Sequence, residues 1–135
     1  MRHKKEVAQR SNTQRVQSLT NQAVIADKCY VAERFFDRLR GLIGTTAFAS
    51  GEGMLFPRCN DIHMWFMSIS IDVVFIRRER TAEGRTNWKV SSVHAGVRPW
   101  RFLPLRDSRA TETLELPVGT IGRCAIRAGD ELCIS

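Results

Sequence analysis

A chain of 135 residues with 43% apolar side chains and a net charge of +7 is the size of one domain, which removes about two-thirds of its unfolded surface from water. No stretch reaches the ~18 consecutive apolar residues that a bilayer crossing requires, and the polar opening MRHKKEVAQRSNTQ lacks an apolar signal-peptide core. A soluble cytoplasmic protein is expected, its four cysteines (Cys29, Cys59, Cys124, Cys133) reduced and none in CxxC spacing.

The positive charge is unevenly spread, with six Lys/Arg against two acids in residues 1–28 and fifteen against twelve beyond. Residues 1–20 hold few apolar side chains besides Val7, Val16 and Leu19 and are rich in Gln, Asn, Ser and Thr, so they read as a disordered or frayed basic tail ahead of a single domain over 21–135. No recognition motif accompanies the charge, and nucleic acid is not the expected partner.

The segment AVIADKCYVAE, Ala23 to Glu33, is β-rich, and in the following RFFDRLRGLIG, Phe35, Leu39, Leu42 and Ile43 recur at helical spacing. This predicts a short helix over about 32–42, with Gly44 as its stop. From Gly53 the pattern changes to short apolar segments: GMLF up to Pro57, DIHMWFM up to Ser68, and SIDVVFI running into RRERTAEGRTN, which has the composition of an exposed hairpin loop. WKVSSVHAGV is a further strand, Pro99 and Pro104 bracket an irregular link, TETLELP alternates to Pro117, and a last strand follows a turn at Gly129 and Asp130. Six or seven strands and one helix predict a mainly β fold, an antiparallel sandwich of jelly-roll type or a partly closed barrel, because parallel strands need crossovers.

Polar side chains interrupt the densest apolar run. In ISIDVVFI (69–76), Ile69, Ile71, Val73 and Phe75 share one strand face while Ser70, Asp72, Val74 and Ile76 share the other. Both faces are largely apolar, so the strand is central and Asp72 needs a partner: backbone N–H groups at a bulge, an Arg, or a polar pocket. Cys59, Asp61 and His63 fall on one face of an extended segment, the pattern of a ligand or nucleophile set, although no second Cys/His pair completes a metal site. GEG at 51–53 lacks the third glycine and the Lys-Ser/Thr pair of a phosphate loop and leads into a strand. Met64, Trp65, Phe66 and Met67 project large side chains to both faces, and Trp100, beside Pro99 and Arg101, has the setting of a semi-exposed aromatic.

Taken together, RLRGLIG (38–44), GEGMLFPRCNDIHMWFM (51–67), IDVVFI (71–76), RPW (98–100), TLELPVG (113–119) and GDEL (129–132) resemble domain-of-unknown-function family 192 over about residues 23–135. The resemblance implies a mainly β sandwich or jelly-roll with a short helix after the first strand. It brings no activity. The family's motif positions fall on Arg40, Gly41, Gly53, Met54, Phe56, His63, Phe66, Met67, Asp72, Pro99, Trp100, Glu115, Leu116, Pro117, Gly119, Gly129 and Asp130. Many members are exported or lipid-anchored, from which the polar basic start of this chain departs.

The reading that follows is a non-catalytic module binding a small molecule or peptide in a site built from His63, Trp65, Asp72 and Trp100, with Arg40 as the salt-bridge partner of an inward carboxylate, and without cofactor or metal. Its rivals are a small hydrolase or metal-dependent enzyme using Cys59, His63 and Asp72, and an adaptor whose basic tail touches nucleic acid or an anionic surface.

Overall fold

The computed structural model of the protein describes residues 13–32, 49–62, 69–99 and 104–135. Within them the strands are β1 (Thr13–Ser18), β2 (Val24–Val31), β3 (Glu52–Phe56), β4 (Asp61–Ile62), β5 (Ile71–Arg80), β6 (Thr86–Val97), β7 (Leu105–Arg106), β8 (Glu112–Pro117) and β9 (Glu131–Ile134), with a single-turn helix α1 (Thr120–Cys124) between β8 and β9. Seven strands close into a barrel in the order β1-β2-β3-β8-β5-β6-β9, and β4 and β7 form a separate two-stranded ribbon. The helix expected over about 32–42 lies, apart from Ala32, outside the described residues.

The centre of the barrel wall is β5. Its residues 71–76 are buried on both faces, as their uninterrupted apolar composition predicts, and β6 and β8 both pair with it antiparallel. Beyond Ile76 the strand turns charged and exposed, Arg77 to Arg80 running out to the expected hairpin turn, where the Thr81 N–H bonds the Arg85 carbonyl.

The two faces of the wall build two apolar clusters. Inside, Val74 and Ile76 meet Val16, Ile25, Cys29, Leu55, Leu114, Leu116 and Leu132; outside, Ile71, Val73 and Phe75 meet Phe56, Ile62, Val97 and Leu105. Each such side chain, fully buried, contributes about 1.5–3 kcal/mol. Ile62 and Leu105 belong to the β4–β7 ribbon, which thus lies over the outer face.

The two ends of the barrel are closed differently. At one, α1 inserts Ile121 and Cys124 into the inner cluster. Nearer the hairpin, Glu112 pairs with Arg78 at 2.9 Å, the Thr111 hydroxyl donates to its other oxygen, and the Arg78 guanidinium stacks 4.9 Å from the Trp88 ring centroid.

Two features differ from the sequence reading. Residues 13–18, expected in the tail, are β1, bonded to β2 and β9 and completing the barrel. Val16 and Ser18 point inward there and are fully buried between the outward Arg15 and Gln17; one apolar side chain in a polar segment carries too little periodicity to register, and the stability comes from ladders on both sides. The second is that β2 and β3 are parallel. The link from Val31 to Glu52 exceeds the dozen or so residues such a crossover needs.

Candidate functional site

Of the five residues singled out as a ligand site, Asp72 is described; Arg40, His63, Trp65 and Trp100 lie outside the described residues. Asp72 is fully buried on the inner face of β5, at the barrel end that α1 closes. Its Oδ1 accepts the Gly96 N–H at 2.9 Å, and its Oδ2 accepts the N–H groups of Gly119 at 3.1 Å and Ile121 at 2.9 Å. The pairing register of β5 with β6 shifts between Ile71 and Val73, a bulge opposite Asp72. Gly96 (φ 62°) and Gly119 (φ 95°) adopt left-handed conformations that residues with a Cβ rarely take, and these turns present their N–H groups to the carboxylate. Asp72 therefore has the backbone donors that its burial demands, and it ties β5, the β6 bulge and the start of α1 together.

The Cys59 thiol donates to the Asp61 carbonyl at 3.0 Å, and the Cys59 carbonyl accepts the Thr113 hydroxyl at 2.7 Å. Cys59 packs against the outer cluster, whereas Asp72 faces inward, so the barrel wall separates two members of the proposed hydrolase set. The Asp61 carboxylate turns to Arg106 at 3.5 Å. Burial pushes the Cys29 thiol up to about 12, which makes that inner-cluster cysteine a packing residue. Among the described residues no three His, Cys, Asp or Glu side chains gather as a metal site, and no helix is long and apolar enough to cross a membrane.

The polar chemistry of the wall lies on its outer face, in two cross-strand rows. Met54 of β3, Glu115 of β8, Val73 of β5 and His94 of β6 are direct neighbours in one; Phe56, Thr113, Phe75 and Ser92 form the other. In the second row Ser92 donates to Asp107 Oδ2 at 2.6 Å, and His94 Nε2 lies 3.2 Å from Ser92 Oγ, its ring edge-on to Phe75. Burial alone would raise the Asp107 carboxyl, but the Ser92 and Ser91 hydroxyls, the Arg109 N–H and the Arg109 charge together hold it below its ordinary value. An ionised Asp107 takes the Ser92 proton, so the Ser92–His94 contact requires the proton on Nε2. Ser92 thus stands between the acid and the imidazole, where a hydrolase has the imidazole between acid and nucleophile.

Glu115 has no such network. It is 4% exposed, flanked by Met54 and Val73, and among buried side-chain polar atoms of the described residues its Oε2 alone lacks a hydrogen-bond partner. Burial pushes its carboxyl up to about 8. The contrast with Glu112 on the same strand, equally buried but bonded to Arg78 and Thr111, sets Glu115 apart. Sequence reasoning placed Glu115 among the family positions without a role and read TETLELP only as an alternating strand. A signal was present, because TETLELP has to pair with the two-sided β5 and so be buried on both faces as well.

The family model DUF192, described as Uncharacterized ACR, matches residues 15–134. A UPF0127 protein of Thermococcus sibiricus is 34% identical over 106 residues, covering 76% of this chain and 62% of its own length. The chain thus spans less than two-thirds of that relative. A crystal structure of a protein of unknown function from Novosphingobium aromaticivorans superimposes with a TM-score of 0.71 at 22% identity, covering 90% of this chain and 83% of that one. One from Sinorhizobium meliloti, described as a "putative transcription regulator", gives 0.71 at 23% identity, covering 90% and 91%. At these identities the two structures are similar to the chain in fold.

Proposed function

We propose that this chain, which belongs to domain-of-unknown-function family 192, is a non-catalytic module that binds a small ligand on the outer face of the β3-β8-β5-β6 wall, around Glu115. The observation that carries the reading is the carboxyl oxygen Oε2, buried and without a partner. Leaving a buried polar atom unpaired costs about 1–3 kcal/mol, and the other buried side-chain polar atoms of the described residues are bonded. A site that keeps such a group among apolar neighbours has the makeup of a ligand pocket, apolar walls with one placed polar contact. Met54, Cys59 and Ile69 at the margin of the outer cluster are only half-buried, which gives a ligand a route to the face.

His63, Trp65, Trp100 and Arg40 remain candidate contributors. Asp72 is left out of the binding surface because its oxygens are taken by backbone donors on the other side of the wall.

The test is ligand-observed NMR of a fragment library against the wild type and Glu115→Gln, with amide shifts mapped on labelled protein. Fragments that shift Met54, Val73, His94 and Glu115 in the wild type and lose affinity in the variant support the module. A library that yields no hits on this face, or hits indifferent to Glu115→Gln, removes it.

A further inference from the structure

Resting on that reading, we infer that the ligand carries an organic cation, an ammonium or amidinium group on an apolar body, and that Glu115 receives it as a carboxylate after giving its proton to solvent. Three observations point to this chemistry. The described neighbours of Glu115 along its row and the next, Met54, Val73, Phe56 and Phe75, are all apolar, Met54 alone being half-buried; the titratable groups of that face, His94 one place beyond Val73 and Asp107 behind Ser92, are bonded through Ser92 to each other. The cationic groups paired with acids among the described residues, Arg78 and Arg106, are engaged with Glu112 and Asp61, so neither is committed to Glu115. The third is the satisfied state of the other buried acids and of Asp107: Asp72 has three N–H donors, Glu112 has an arginine and a hydroxyl, Asp130 has the Arg127 N–H, and the half-buried Asp107 has two hydroxyls and an N–H. Among the buried side-chain polar atoms of the described residues, only Glu115 Oε2 lacks a partner.

An anionic or purely carbonyl ligand fits less well. It would satisfy the O–H of a protonated Glu115 and leave the other oxygen without a donor, whereas an ammonium brings up to three N–H groups and a charge. A cation entering a low-dielectric site favours the ionised carboxyl strongly. Binding is thus a proton-for-cation exchange: the carboxyl O–H bond breaks, its proton passes to buffer, and an N–H···O⁻ bond forms, with the charge of the site conserved overall.

The experiment uses three probes of one size, cyclohexylammonium, cyclohexanecarboxamide and cyclohexanecarboxylate, titrated calorimetrically into the full chain in buffers of different ionisation enthalpy. Because the Glu115 carboxyl is held at about 8 in the free protein, cyclohexylammonium at pH 7 should release close to one proton per site. Its affinity should rise about tenfold per pH unit from pH 6 to near pH 8 and level off above, while the amine itself stays charged. Glu115→Gln should abolish both the proton release and the preference for the cation. If the amide binds best and no proton is released, the cation assignment is overturned while binding at Glu115 stands. If none of the three binds and the fragment library also gives no hits on the face, the binding module fails with it. Cation binding that survives Glu115→Gln overturns the inference by placing the cation elsewhere.

Discussion

Replacing Asp72 by alanine is expected to destabilise the fold by about 3–5 kcal/mol, and replacement by asparagine by about 1.5–3 kcal/mol, on the cost of hydrogen bonds to a charged acceptor and of stranded donors. The carboxylate takes three N–H bonds, one on Oδ1 and two on Oδ2. Alanine loses all three. Gly96 and Gly119 are exposed and their amides can turn to water, but Ile121 is buried and its N–H is stranded. Asparagine keeps two bonds if its oxygen takes the place of Oδ2, and then points an NH₂ donor at the Gly96 N–H. In a domain of this size about 3–5 °C accompanies each kcal/mol, so Asp72→Asn should lower Tm by roughly 5–15 °C. Equilibrium unfolding in urea measures the free energy, and an unchanged m-value shows that both states keep their compactness. Amide exchange at Gly96, Gly119 and Ile121 locates the damage, which should be confined to the β6 bulge and the start of α1. A loss below about 0.5 kcal/mol for Asp72→Ala, within the range of an ordinary surface substitution, would refute the buried-carboxylate argument.

Three other outcomes are expected. The folded chain holds the Glu115 proton up to about 8, whereas the unfolded chain releases it near 4.5, so folding takes up a proton between these values. Stability should be highest on the acid side of that window and decline as pH rises through it, by up to about 1.4 kcal/mol per unit from this group, and Glu115→Gln should flatten that component in pH-dependent urea melts; an identical slope in wild type and variant argues against a buried neutral acid. In native protein Cys133, which is exposed, should react with a thiol reagent at neutral pH while Cys29 stays protected until the chain unfolds, a difference that mass spectrometry of timed labelling reads directly. Ser92→Ala should raise the Asp107 carboxyl in an NMR titration, since it deletes the 2.6 Å hydroxyl donor that helps hold it down, and an unmoved titration would show that Ser91 and Arg109 suffice.

The strands were legible where apolar runs were long. Residues 71–76 announced a strand buried on both faces, and the face assignment of Ile71, Val73 and Phe75 against Asp72, Val74 and Ile76 matches the outer and inner clusters. The turn at Gly129 and Asp130 was legible for a similar reason: Gly129 has φ 92° and Asp130 accepts the Arg127 N–H at 2.9 Å. What escaped was set by tertiary pairing. Strand β1 has one apolar core residue, Val16, and owes its place to ladders with β2 and β9. Helix α1 is a single turn with Gly122 inside it, too short and too poor in helix formers to show a period, and it is held by packing of Ile121 and Cys124 on the barrel end.

For the site, sequence reasoning settled on Asp72, and the structure draws attention instead to Glu115 on the neighbouring strand. An acid in the most apolar segment needs explaining, and Asp72 is the one found there. The need was real and the chain itself meets it, through glycine turns whose donors are distant in sequence and so invisible to any local pattern. Glu115 alternates with Leu114 and Leu116, the pattern of an acid facing water. Its neighbour across the sheet, Val73, is fully buried, and so the same alternation lays the acid against an apolar layer. A buried acid with partners is an architectural device. One whose oxygen has none weakens the fold at neutral pH, and Gln in its place would keep the volume without the ionisable group. That a carboxyl stands there is the physical reason to look for chemistry on the outer face of the wall and not within the barrel.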